Sequence, residues 1–156
     1  TLMCLTTGAG LNLFELDQGV GAFLLVRRGL KMPERGKTYS INEAYAEQFP
    51  QGYQDYLKWA HSEGYSGRYI GSMVADVHRT LVRGGVFLYP PTTKNPSGKL
   101  RLLYEANPMA MLIEQAGGTA FSGDQRTVDI QPTELHQRVP VVLGSKEEVE
   151  QVRRFL

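Results

Sequence analysis

The run from Arg68 to Glu105, RYIGSMVADVHRTLVRGGVFLYPPTTKNPSGKLRLLYE, constrains the fold more than any other part of this chain. Val74, Val77 and Leu81 recur at helical spacing, and the pattern ends at Gly84-Gly85. Val86-Phe-Leu-Tyr89 follows as a short buried strand, which Pro90-Pro91 stops. Thr92 to Gly98 reads as a loop, and Leu100 to Tyr104 as a further strand. Asn107-Pro108 then opens a helix over Met109 to Ala116, cap followed by proline, and Gly117-Gly118 closes it.

The same alternation extends outward. Gly10 to Leu16 alternates, Gly19 to Val26 is a more continuous apolar run, and Asp17-Gln-Gly between them predicts a hairpin turn. Lys31 to Lys37 is a polar connector. Ser40 or Asn42 can cap a short helix over Glu43 to Gln48, which Pro50 helps to end. Tyr53 to His61 is another helix, with Tyr56 and Trp59 on one face. Thr119 to Phe121 and Val139 to Leu143 read as strands, and Ser145-Lys-Glu-Glu148 as a capping box opening a last helix. Strands interleave with helices, and the opening hairpin points to a mixed β-sheet flanked by helices, an α/β fold.

Composition bounds the chemistry. The 156 residues suffice for one domain with a real core. A net charge of +1 argues against a broad surface for nucleic acid, and no apolar run approaches the roughly 20 residues of a membrane span. The single cysteine, Cys4, cannot form an internal disulfide, in keeping with a reducing cytoplasmic setting. It reads as a buried strand residue. Six of the 17 Lys and Arg residues fall in the Arg68–Glu105 run, near the proposed pocket and interleaved with tyrosines. Arg and Lys supply charged donors for phosphate, and tyrosine hydroxyls bond oxygen while their rings pack. Glu105 beside a phosphate would be repelled unless a cation sat between them, which hints at Mg²⁺ or Mn²⁺.

The order of residues adds more. YSINEAYAEQFP (Tyr39 to Pro50), GRYIGSMVADVHRTLVRGGVFLYP (Gly67 to Pro90), GKLRLLYEANPMAMLIEQAGG (Gly98 to Gly118) and HQRVPVVLGS (His136 to Ser145) together resemble the carboxyl-terminal half of class I fructose-1,6-bisphosphatases. Pieces such as EQAGG also occur in the wider inositol-phosphatase-like superfamily. GSMVADVHRTL followed by KLRLLYE is far more specific. The superfamily's DPLDGS-type metal loop has no counterpart here, since Leu16-Asp17-Gln18-Gly19 lacks the paired aspartates. The resemblance therefore implies that residues 1–156 form a single carboxyl-terminal substrate-binding domain, with the amino-terminal metal-binding domain absent. The abrupt opening at a strand reads as truncation from a longer chain, so an exposed edge and self-association are expected.

The resemblance also implies roles. Asn42 and Tyr45, three apart at a helix start, would hold the 6-phosphate of the sugar, where spacing alone gives only a cap and a packed ring. Tyr69 would hold the same phosphate. Arg68 would reach across a subunit interface into a neighbour's pocket, a task suited to a guanidinium, although an isolated Arg-Tyr pair is ordinarily solvated surface. Met73 would line the sugar pocket while packing as a core residue. Tyr89 at a strand end and Lys99 after the loop would contact the 6-phosphate and sugar, and Arg101 would support Lys99 or touch phosphate. Glu105, otherwise an unremarked carboxylate, would be one divalent-metal ligand beside the 1-phosphate. His61, His78 and His136 show no metal spacing and read as structural.

Two readings follow. In the first, the chain is part of a metal-dependent fructose-1,6-bisphosphatase that converts fructose 1,6-bisphosphate to fructose 6-phosphate and phosphate, in gluconeogenesis or the Calvin cycle. Metals would activate water and stabilise developing charge, and the full-length protein would be a homo-oligomer, a tetramer. The isolated chain, with an incomplete Mg²⁺ or Mn²⁺ site, would be inactive. In the second, it is a non-catalytic sugar-phosphate-binding or oligomerisation module, which has no need of a metal ligand at Glu105.

Overall fold

A computed structural model of the chain describes residues 1–156. The opening segment folds as an antiparallel sheet of β1 (Leu2–Thr6), β2 (Leu11–Asp17) and β3 (Ala22–Arg27), in that order. The expected hairpin turn forms because the Asp17 carboxylate accepts from the Gly19 and Val20 N–H groups at 2.8 and 3.0 Å. After the connector come β4 (Thr38–Ser40), a 3₁₀ turn over Glu43–Gln48, α1 (Gln51–Ser62), β5 (Ser66–Gly67), α2 (Met73–Arg83) and β6 (Val86–Tyr89). Next are β7 (Leu100–Arg101), α3 (Asn107–Gln115), β8 (Thr119–Ser122), β9 (Gln125–Arg126), β10 (Arg138–Val139), β11 (Val141–Gly144) and α4 (Lys146–Arg153).

The main sheet runs β5-β4-β6-β11-β8-β9. Strand alternation sends successive residues to opposite faces. Phe87, Val141, Leu143 and Ala120 pack with Val77 and Leu81 of α2 and with Ala110 and Ile113 of α3. Val86, Leu88, Val142 and Phe121 pack instead with Tyr53, Tyr56 and Leu57 of α1 and with Val149 and Val152 of α4. The result is a helix–sheet–helix sandwich, as the alternation of elements predicts. The sheet is mixed, but for a different reason from the one inferred. β4 pairs in parallel with β5 and β6, whereas the opening hairpin belongs to the separate antiparallel sheet.

Gly84 and Gly85 end α2 at φ +79° and +113°. A Cβ at Gly84 would meet the Arg35 carbonyl and one at Gly85 the Thr38 backbone, so close packing as well as φ requires glycine.

Several local expectations need correction. Leu100 to Tyr104 is not one strand: β7 has two residues, and Leu102–Ala106 is a π turn running straight into α3. The Glu105 carboxylate accepts from the Arg101 N–H at 2.7 Å, turning the chain back on itself. Asn107 is therefore no cap, because Ala106 and Asn107 are already helical (φ/ψ −67/−50° and −61/−48°). Ser145 stands at the start of α4 but makes no capping bond; its hydroxyl donates to the Pro33 carbonyl and accepts from Gly85 N–H. The Val139–Leu143 strand is broken at Pro140, with β10 pairing to β7 and β11 to β6 and β8. Asn42, not Ser40, caps the 3₁₀ turn. Cys4 is only half-buried on β1.

Candidate functional site

In a sheet with parallel strands, ligands gather beyond the strands' carboxyl ends. β4, β5 and β6 run parallel, so their carboxyl ends deliver three segments to one edge. Asn42 and Tyr45 follow β4, Arg68 and Tyr69 follow β5, and Tyr89 ends β6. Lys99 comes to the same edge on the return from the 92–98 loop. Gly98, at φ +82°, lies so close to Val139 and Pro140 that a Cβ there would strike their backbone. This close approach fixes where Lys99 leaves the loop, and the Arg138 guanidinium donates to the Lys99 carbonyl at 2.6 Å.

Two adjoining cavities result. One, of about 210 Å³, is lined by Asn42, Tyr45, Tyr89, Lys94, Asn95 and Lys99, among others. The second, of about 380 Å³, includes Tyr69, Met73, Tyr89, Lys99, Arg101 and Glu105. Tyr89 and Lys99 line both, so the two form one continuous site. Burial first, then neighbouring Tyr89 and Asp76, push the Tyr69 hydroxyl above the usual phenol value, while the Asn42 amide pulls it back. It is therefore a hydrogen-bond donor at neutral pH. Lysine and arginine side chains outnumber carboxylates along the walls, which suits an anion with several oxygens.

Of the residues singled out in the sequence, Asn42, Tyr45, Tyr69, Met73, Tyr89, Lys99, Arg101 and Glu105 thus line the joined cavities. Arg68 lines neither; its guanidinium is exposed and donates to the Gly67 carbonyl at 2.9 Å. Lys94, Asn95, Gln48 and Arg138 enter the walls without having been picked out. Lys94 and Asn95 sit in a stretch that reads only as loop, and Arg138 is brought in by the β10–β7 pairing. The one available signal was the excess of polar residues between Pro91 and Lys99.

Glu105 is held at 25% side-chain exposure by its bond to Arg101 N–H and by the Arg101 guanidinium at 3.4 Å. No group of three or more His, Cys, Asp or Glu side chains could hold a metal ion. One carboxylate with these partners is not by itself a divalent-cation site.

The largest cleft, about 730 Å³, lies elsewhere, between the Glu34–Lys37 connector, Tyr65 and α4. Its walls carry four carboxylates, Glu34, Glu147, Glu148 and Glu150, against four basic side chains, Arg35, Lys37, Lys146 and Arg154. Arg35 pairs with Glu147, and Tyr65 donates to Glu148 at 2.8 Å. That even balance of sign suits an anion less well than the basic walls of the smaller cavities.

Residues 32–156 match the family model for the fructose-1,6-bisphosphatase carboxyl-terminal domain. The chain belongs to the fructose-1,6-bisphosphatase family. Among its relatives, the class 1 fructose-1,6-bisphosphatase of Sulfurihydrogenibium sp. is 53% identical over the whole of this chain, which covers 49% of that protein. Fructose-1,6-bisphosphatase isozyme 2 of Bos taurus is 52% identical over 97% of the chain, which covers 46% of the bovine protein. The crystal structure of Leishmania major fructose-1,6-bisphosphatase in holo form superposes with a TM-score of 0.97 at 43% identity, covering 99% of this chain and 49% of that one. The chain thus spans about half the length of the curated relatives it matches. No helix is long and apolar enough to cross a membrane.

Proposed function

We propose that this chain is the substrate-binding part of a fructose-1,6-bisphosphatase, holding the 6-phosphate and sugar of fructose 1,6-bisphosphate. The convergence of Asn42, Tyr45, Tyr69, Tyr89 and Lys99 at the carboxyl edge of the parallel strands carries this reading. Lys99 supplies a point charge, the tyrosine hydroxyls and the Asn42 amide supply directed hydrogen bonds, and Met73 gives the sugar an apolar wall. Binding the remote phosphate holds the reacting end in place, so part of that binding energy lowers the barrier to hydrolysis.

Residues 1–156 act here as one substrate-binding domain. Glu105, released from Arg101, would contribute one ligand to a divalent-metal centre, Mg²⁺ or Mn²⁺, whose other ligands come from outside this chain. In a homo-oligomer the exposed Arg68 would serve a neighbour's phosphate pocket. The cellular setting would be cytoplasmic sugar metabolism, gluconeogenesis or the Calvin cycle.

Calorimetric titration of fructose 6-phosphate into the chain tests the grip. Saturable binding that falls about tenfold in Lys99→Met is expected, the size of one charge-assisted bond. Equal binding by Lys99→Met, or none by the unmodified chain, would overturn the assignment of this pocket.

A further inference from the structure

The segment carrying Arg68 and Tyr69 is short and joins β5 to α2, with Gly71 at φ +86°. Ser72 stands where a helix cap belongs, yet its side chain caps nothing. Asp76, one turn inside α2 and 0% exposed, instead holds the segment that precedes the helix. One carboxylate oxygen accepts from Ile70 N–H at 3.1 Å and from the Arg79 guanidinium at 2.9 Å. The other accepts from Ile70 and Gly71 N–H groups, both at 3.2 Å. The same Arg79 nitrogen also donates to the Arg68 carbonyl at 2.6 Å, while Arg68 N–H donates to the Tyr39 carbonyl at 2.8 Å. The backbone is therefore tied on both sides of Tyr69.

We propose that the buried Asp76 and the half-buried Arg79 form an ion-paired clamp that positions Tyr69 and Arg68 for the anionic ligand. The proposal rests on the reading of the Tyr69–Tyr89–Lys99 cavity as a sugar-phosphate site. Neither clamp residue lines that cavity, so both are positioning residues.

The pair has a second consequence. A buried carboxylate near an anion pocket repels the ligand unless its charge is balanced, and Arg79 supplies that balance. Removing Arg79 alone therefore leaves the pocket both misaligned and facing an uncompensated negative charge. Removing the charge of Asp76 as well relieves the second effect.

Fructose 6-phosphate affinity of the 156-residue chain, measured with melting temperature, tests this in Asp76→Asn, Arg79→Met and the double variant. Lys99→Met and Tyr69→Phe report on the pocket itself. We expect about a fivefold loss in Asp76→Asn, a larger loss in Arg79→Met, and partial recovery in the double variant relative to Arg79→Met, since coupled charges are non-additive. A merely structural role would lower the melting temperature without this ordering of affinities. Should Asp76→Asn fail to fold, Arg79→Lys takes its place; it keeps the charge, but its side chain is one bond shorter and stops short of the position from which the Arg79 nitrogen reaches both Asp76 and the Arg68 carbonyl, so weakened binding is expected there too. Affinities within twofold of the unmodified chain in the folded clamp variants, with Lys99→Met and Tyr69→Phe impaired, would overturn the clamp and leave the pocket standing. Unchanged binding in all of them, or no binding by the unmodified chain, would overturn the pocket and the clamp together.

Discussion

Strands β3 (AFLLVR) and β6 (VFLY) have similar composition and opposite fates. Every residue of β3 is exposed, with Phe23, Leu24, Leu25 and Val26 at 40–51%. Val86, Phe87 and Leu88 of β6 are each 1% exposed. β6 lies inside a six-stranded sheet with helices on both faces, whereas β3 is the edge of a three-stranded sheet. Apolar sequence makes both into strands; only the layers placed over a strand convert apolar surface into stability. The residues that line the joined cavities sit at the edge of the covered sheet.

That contrast can be broken or sharpened by experiment. Phe87→Ala should cost about 3–5 kcal/mol in urea unfolding, as expected for a filled core site. Phe23→Ala should cost under about 1 kcal/mol. Equal costs would mean that the opening sheet is covered in solution. The next effect is alkaline. Tyr53 lies in the aromatic layer beneath the main sheet, where burial pushes its hydroxyl up to about 12, and burial likewise raises Tyr39, Tyr56 and Tyr65. The folded value lies above the ordinary one of 10.0, so the contribution is full below pH 10 and lost as pH rises toward 12. It amounts to as much as about 3 kcal/mol. Urea midpoints from pH 9 to 12 should drop, and less steeply in Tyr53→Phe; a Tyr53→Phe curve parallel to the parent would remove Tyr53 from this account. β1 to β3 contain no tyrosine, and there the half-buried Cys4 thiol, also raised by burial, is the corresponding group.

Gly98→Ala should destabilise by about 1–3 kcal/mol, the cost of forcing a side chain into this backbone conformation, and should weaken fructose 6-phosphate binding through Lys99. Normal affinity in that variant would show that the loop does not set the lysine. The smallest effect on stability belongs to β3. Its exposed apolar residues predict self-association of the chain, seen as a sedimentation coefficient that rises with concentration. Leu24→Lys with Val26→Lys should suppress this while changing stability by under about 1 kcal/mol. A monomer at all concentrations would count against it.

Sequence alone determined what rests on bonds between near neighbours or on periodicity. The Asp17 turn, the end of α2 at Gly84-Gly85 and the burial of Val86–Leu88 all follow from residues a few positions apart, which also narrowed the cap of the 3₁₀ turn to Ser40 or Asn42. The residue types of the cavity walls were legible as well, because lysine, arginine and tyrosine in one run supply the donors an anion needs. Tertiary structure decided the rest. It broke the apparent strand at Pro140 between two sheets, and it took the Ser145 hydroxyl from its own helix for Pro33 and Gly85. It joined Lys99 to Asn42 across the sheet edge. A polar side chain takes whichever partner folding brings within reach, and no spacing rule along the chain encodes a partner supplied by another strand.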